Sequence, residues 1–180
     1  VSGVDFDSLV EEYYTPLYRF GLSLSRKESD AVDLAQQTFL TWAKKGHQLR
    51  DPTKVKTWLF TTLYRQFLAD KRRDALFVDI DEDAQLIEIP SFSPSIINAI
   101  DANLVQKALH ELDDRHRAPV TLFYMQQHSY REIAEILEIP IGTVMSRISR
   151  GKAEMRKNLG ELAVAESRKI VKLNEGGTNG

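Results

Sequence analysis

The chain has 180 residues, no cysteine and a formal net charge of −2. That length holds one domain or two small ones, and the missing cysteine excludes disulfides, cysteine-ligated metals and thiol catalysis within these residues. The near-neutral balance speaks against a uniformly basic nucleic-acid binder, but residues 1–73 carry net +3, 74–98 net −6 and 99–160 net +1, so two mildly basic blocks flank an acidic connector.

The N-terminal stretch "VSGVDFDSLVEEYY" lacks the basic start and apolar core of a signal peptide. No apolar run approaches the roughly 18 residues of a membrane span. A cytoplasmic address is the default expectation.

Residues 5–25 place Phe6, Leu9, Val10, Tyr13, Leu17, Phe20 and Leu24 at three-to-four spacing, a helical pattern that Pro16 threatens to kink or break. A second helix is expected from Asp30 to Lys45, with Ser29 as N-cap and Asp30 and Asp33 at the positive end of the dipole. Gly46 then ends that helix, "GHQLRDPT" reads as a loop, and Pro52 opens the next helix. Thr53 to Arg73 is helical again, with Val55, Leu59, Leu63 and Phe67 near one face and a basic end, "DKRR". Three such helices can share a core. Residues 74–98, with acids, isolated apolar pairs, Pro90 and Pro94, read as a linker of little regular structure.

Two helical segments follow from Ala99. Ile100, Leu104, Ala108 and Leu112 mark the first; Val120, Leu122, Phe123 and Met125 mark the second, with "DDRHR" between them. Then comes "SYREIAEILEIPIGTVMSRISRGKAEMRKNL". Ser129 and Glu132 make a capping box. Ile133, Ala134 and Leu137 face inward, Pro140 stops the helix, and Val144, Ile148, Met155 and Leu159 stripe the next one. A tight turn between two such helices is the helix-turn-helix design, whose second helix enters a major groove. Residues 141–160 hold five basic residues and one acid, so the field favours DNA; the bland reading is a helical hairpin with a solvated basic face. The last 20 residues start helical and finish in "NEGGTNG", which should fray.

"IPIGTVMSRISRGKAEMRKNL" resembles the region-four helix-turn-helix of bacterial sigma factors, especially the extracytoplasmic-function (ECF) group. "DAVDLAQQTFLTWAK" and "VKTWLFTTLYRQFLADKRR" look like that group's region-two segments, in the same order and at a matching separation. The resemblance implies an all-α chain of two small helical domains: region two over 1–73, an acidic linker over 74–98, region four over 99–160 and a tail over 161–180. It implies a transcription initiation factor without enzymatic activity or cofactor. Its partners would be core RNA polymerase, promoter DNA and an anti-sigma factor covering the polymerase-binding faces, with the free protein compact or held by that partner.

Carried over residue by residue, the resemblance assigns core-polymerase binding to Asp33, Leu34, Gln36, Gln37, Phe39 and Trp42; the alternative for Leu34, Phe39 and Trp42 is that at least one is simply core, so Asp33, Gln36 and Gln37 carry the interface assignment. It assigns the minus-ten element to Arg50, Lys54 and Lys56 on a loop rim, Tyr64 and Arg65, and the phosphate contacts Lys71, Arg72 and Arg73. Such a surface combines aromatic faces with a basic groove. Trp58 is core or a base platform. The minus-thirty-five element falls to Thr143, Ser146, Arg147, Arg150 and Lys152, with Arg131 as a backbone contact. The linker either mimics nucleic acid in a basic channel of the polymerase or is a solvated spacer.

The chain departs from the family pattern in three places. Leu63-Tyr64-Arg65 stands where "ARN" is common, Ala69 precedes Asp70 where an Asp is usual, and Met145 stands where lysine is common.

Rival readings are weaker. An independent activator or repressor with a C-terminal helix-turn-helix would need a sensor or dimerisation domain, and the first block looks like neither. An enzyme would need a motif that His47, His110, His116 and His128, scattered as they are, do not form. A helical adaptor would leave two DNA-like surfaces unexplained.

Overall fold

The structure, a computed structural model, describes residues 5–77, 104, 105 and 107–175, the side chains of 76, 77, 163 and 165–175 excepted. These residues are helical apart from short turns, as the all-α reading expects, and no strand occurs among them. The N-terminal bundle is α1 (Phe6–Ser25), α2 (Glu28–Lys45), two 3-10 turns (Gly46–Gln48 and Pro52–Lys54) and α3 (Val55–Phe77). The C-terminal bundle is α4 (residues 104–110, position 106 excepted), α5 (Asp114–Val120) with a π turn (Thr121–Met125), α6 (Tyr130–Leu137) and α7 (Ile141–Glu175).

Local chemistry sets most helix ends. Asp5 caps α1 by accepting from the Ser8 N–H at 3.0 Å, and Arg26 closes it in the left-handed conformation at φ 61°. Pro16 lies inside α1 without ending it. Leu9, Leu17, Phe20 and Leu24 are buried, and burial of roughly 1.5–3 kcal/mol per side chain offsets a lost hydrogen bond. Before α3, Asp51 accepts from the Thr53 N–H at 2.9 Å and Pro52 opens the turn.

Several expected boundaries move. The N-cap of α2 is Lys27, not Ser29, and no side chain caps it; Glu28 and Asp30 supply the favourable charge instead. Gly46 keeps right-handed helical angles and leads into a 3-10 turn. Its need is space: a Cβ there would sit 2.6 Å from the Trp42 ring. "DDRHR" is no separator, because Asp113 accepts from the Arg115 N–H at 2.8 Å and starts α5 at the next residue. α3 continues through the expected boundary at Arg73 to Phe77. The rest of the acidic linker, with Ile100 and the final five residues, lies outside the described residues.

One apolar cluster joins the two bundles. It runs from Leu9, Phe20, Leu34 and Phe60 to Ala118, Leu122, Ile133, Ile136, Val144 and Ile148. α3 packs on α6, and α1 packs on α5. The Phe60 ring meets Phe20 at 5.4 Å on one side and His128 of the C-terminal bundle at 4.7 Å on the other. α7 crosses α5 so closely that a Cβ on Gly151 would lie 2.5 Å from Val120 Cγ2. Among the described residues, no helix is long and apolar enough to cross a membrane.

Candidate polymerase-docking and nucleic-acid surfaces

α2 has two faces with separate tasks. Leu34, Phe39 and Trp42 are buried. These three residues therefore hold the helix to its own bundle, the core alternative weighed for them above. Thr38 is also buried; its hydroxyl donates to the Leu34 carbonyl at 2.7 Å and meets Gln66 Oε1 at 3.2 Å. Gln66 donates onward to Thr41 at 3.2 Å, so α2 is fastened to α3. Asp33, Gln36 and Gln37 face outward. Leu40, spaced seven, four and three residues from them, joins the same face with 52% exposure. The apolar character of Leu40 alone would place it in the core. Its signal was the i, i+3, i+4, i+7 relation to the polar set.

Where α2 ends, a cavity of about 560 Å³ opens between the loop and α3, lined by Lys45, Gln48, Leu49, Trp58, Arg65 and Gln66 among others. Trp58 is half-buried, edge-on to Trp42 at 5.2 Å, and so contributes both to the core and to this wall. Arg50 is exposed. Lys54 and Lys56, expected on the pocket rim, point elsewhere; Lys45 and Gln48 take that place.

Lys54 and Lys56 reach the C-terminal bundle. Lys54 Nζ lies 2.9 Å from Glu135 Oε2 of α6, and Lys56 Nζ donates to the Gln126 carbonyl at 2.6 Å. Arg65 Nε donates to Glu138 at 2.6 Å. Lys71 Nζ donates to Asp114 Oδ2 at 2.7 Å, while Arg73 pairs with Asp70 in its own helix. Arg72 is exposed. Tyr64 is half-buried; burial pushes its phenol up, against the opposing field of Arg147 on α7.

In the helix-turn-helix, the capping box is complete: the Ser129 N–H donates to Glu132 at 2.8 Å and the Glu132 N–H donates to Ser129 Oγ at 3.3 Å. Glu138 closes α6 in the left-handed conformation at φ 55°. The Pro140 carbonyl then accepts from Thr143 and Val144 at 2.9 and 3.1 Å, which launches α7. Val144 and Ile148 are buried, as their spacing predicts. Ser146, Arg150 and Lys152 are exposed, as is Arg131 on α6; Thr143 and Arg147 are half-buried. Met145 is 52% exposed at the lysine-like position.

Two residues outside the expected sites organise the C-terminal bundle. Arg117 is buried; its guanidinium donates to the carbonyls of Leu109 and His110 at 3.1 Å each and to Asp114 at 2.7 Å. It satisfies the end of α4. His128 is 2% exposed, and neither ring nitrogen has a hydrogen-bond partner. Burial first, and Lys56 second, push its imidazole down to about 4, against a small opposing effect of Glu132.

Comparison with known proteins bears on both bundles. Residues 9–76 match the family Sigma-70 region 2, and residues 102–155 match Sigma-70, region 4. The ECF RNA polymerase sigma factor SigL of Mycobacterium tuberculosis is 32% identical over 160 residues, 87% of this chain and 90% of that protein. RNA polymerase sigma factor YlaC of Bacillus subtilis is 27% identical over 157 residues, 85% and 91% of the two chains. Among solved structures, the sigma factor RpoE in complex with the anti-sigma factor NepR from Bartonella quintana matches with a TM-score of 0.72 and 30% identity, covering 87% of this chain and 97% of that one. The chain therefore belongs to the ECF RNA polymerase sigma factors, transcription initiation factors that direct core polymerase to promoters.

Proposed function

We propose that this sigma factor docks on core RNA polymerase through the outward face of α2, with Asp33, Gln36 and Gln37 as polar contacts and Leu40 as the apolar anchor. The observation that carries the assignment is the exposed leucine within a polar stripe, on a helix whose other face is buried. An apolar centre with a polar surround is the usual anatomy of a specific interface. The N-terminal bundle would then hold the minus-ten element. The cavity beside Trp58 and Arg65 can receive an unstacked base, and Arg50, Lys54, Lys56 and Lys71 to Arg73 can meet phosphates. Thr143, Ser146, Arg147, Arg150 and Lys152 on α7, with Arg131, would read the minus-thirty-five element.

On this reading the N-terminal bundle is a region-two domain over 1–73 and the C-terminal bundle a region-four domain over 99–160, joined by an acidic linker over 74–98 and followed by a C-terminal extension over 161–180. The factor works without catalytic residues of its own, in the cell interior where promoter DNA is found. By analogy with RpoE, which is seen with NepR, an anti-sigma factor is its proposed regulator.

A binding titration of the full chain against bacterial core polymerase tests this reading. Gln37→Ala with Leu40→Ala should weaken binding at least about tenfold, the loss of one interface anchor, with helicity by circular dichroism unchanged. Undiminished binding by that variant would remove α2 as the docking helix.

A further inference from the structure

The second helix of the helix-turn-helix presents an uncharged ridge. Gly142, Met145, Ser146 and Ser149 are all exposed and follow one another at i, i+3, i+4 and i+7, so they share one stripe of α7. Val144, Ile148 and Gly151 are buried on the opposite side. Thr143, Arg147 and Arg150 line one flank of the ridge at i, i+4 and i+7; Ile141 and Lys152 lie along the other. The cations therefore stand beside the ridge and not on it, where they suit the phosphates of the groove walls.

The ridge is built of short residues with one long exception. Gly142 carries no side chain and nothing lies within 4 Å of a Cβ built there, so this stripe can sink toward the base edges. The Ser146 hydroxyl donates to the Thr143 carbonyl at 3.0 Å, which leaves only its lone pairs for a base. Met145 is 52% exposed, and Ile141, one turn before it, is 44% exposed. The first turns of such a helix meet base edges, and the apolar group that the major groove offers there is the C5 methyl of thymine. An unbranched thioether chain adapts its shape to a contact of that size.

We propose that Met145 is a specificity-determining residue of this sigma factor, packing on the C5 methyl of a thymine in the minus-thirty-five element, with Ile141 extending the apolar strip. The inference rests on the minus-thirty-five assignment of α7 above and deepens it by naming the base and the group read. The contact carries no charge, so it adds selectivity without adding to the salt-dependent, sequence-independent part of binding. A lysine in the same place would exchange it for a phosphate contact.

The test uses the holoenzyme reconstituted from bacterial core RNA polymerase and the full chain. Duplexes with a randomised upstream element are selected on it. Each thymine of the enriched sequence, on either strand, is then replaced singly by deoxyuridine, which lacks only the C5 methyl. The expected result is one thymine of the minus-thirty-five element whose replacement weakens binding about fourfold, the worth of one buried methyl. That loss should vanish with Met145→Ala, a change at an exposed position. It should vanish also with Met145→Lys, whose binding should fall more steeply with salt, by about 0.9 in the logarithmic slope.

An enriched sequence in which every thymine tolerates replacement overturns the proposal and leaves the minus-thirty-five assignment standing. A deoxyuridine loss of the same size in the parent and in Met145→Ala does the same, because another group then reads the methyl. Failure to enrich any upstream sequence overturns both the proposal and that assignment.

Discussion

Arg65 and Glu138, separated by 73 positions in the chain, share a hydrogen bond of 2.6 Å between guanidinium and carboxylate across the junction of the two bundles. Both side chains are more than half exposed, so their coupling should be small. A double-mutant cycle of Arg65→Ala and Glu138→Ala, followed by urea denaturation, should return no more than about 1 kcal/mol, shrinking as salt is added. Ile136→Ala, at a fully buried position of the same junction, should cost about 2–5 kcal/mol. The comparison measures how far apolar contact outweighs charge in holding the bundles together.

The two faces of α2 make a paired prediction. Phe39→Ala should cost about 3–5 kcal/mol of stability, since its ring is buried and meets Phe6 at 6.4 Å and Tyr14 at 6.5 Å. Leu40→Ala should change stability by no more than about 0.5 kcal/mol. Thermal unfolding of both variants checks the division, and equal losses would place Leu40 in the fold rather than at an interface.

Arg117 holds the carbonyl end of α4 from a buried position. Arg117→Ala should destabilise by about 3–5 kcal/mol, because buried carbonyls and Asp114 lose their partner together. Arg117→Lys should recover little, since an ammonium cannot fork to several acceptors at once. Chemical denaturation of the two variants checks both statements.

Glycines separate by space rather than by backbone angle. Gly151→Ala should cost about 1–3 kcal/mol, because the new methyl meets Val120 Cγ2 at 2.5 Å. Gly160→Ala, on the same helix with nothing within 4 Å, should stabilise by about 0.5–1 kcal/mol. Melting temperatures moving in opposite directions would confirm the close crossing of α5 and α7.

His128 predicts a pH dependence. Its folded imidazole is pushed down to about 4, from an ordinary value of 6.5. Above the ordinary value neither state is protonated there and the group contributes nothing. As pH falls from there toward 4 the unfolded chain binds a proton that the folded chain refuses, so stability falls by up to about 1.4 kcal/mol per pH unit. His128→Leu should flatten the fall between pH 6.5 and 4.5 in urea titrations. Carboxylates held low, such as Asp113 at about 2 beside Arg115, lose their contribution only at more acid pH. A variant with the same slope as the parent would show that another group titrates in this window.

The sequence by itself determined the helices, the capping box at Ser129 and Glu132, the buried Val144 and Ile148, and the family, because each depends on residues within a few turns of one another. Periodicity and capping act locally, and dense motifs such as "IPIGTVMSR" keep their spacing. It left undecided which apolar residues of α2 turn inward. Leu34, Phe39 and Trp42 differ from Leu40 only by rotation about the helix, and that rotation is set by α1 and α3. It also could not pair Lys54 with Glu135, or Arg65 with Glu138, across 81 and 73 positions. Those charges look free for DNA in the sequence; only the packing of α6 on α3 brings the acids to them, since an ion pair is a matter of distance in space and not of order along the chain.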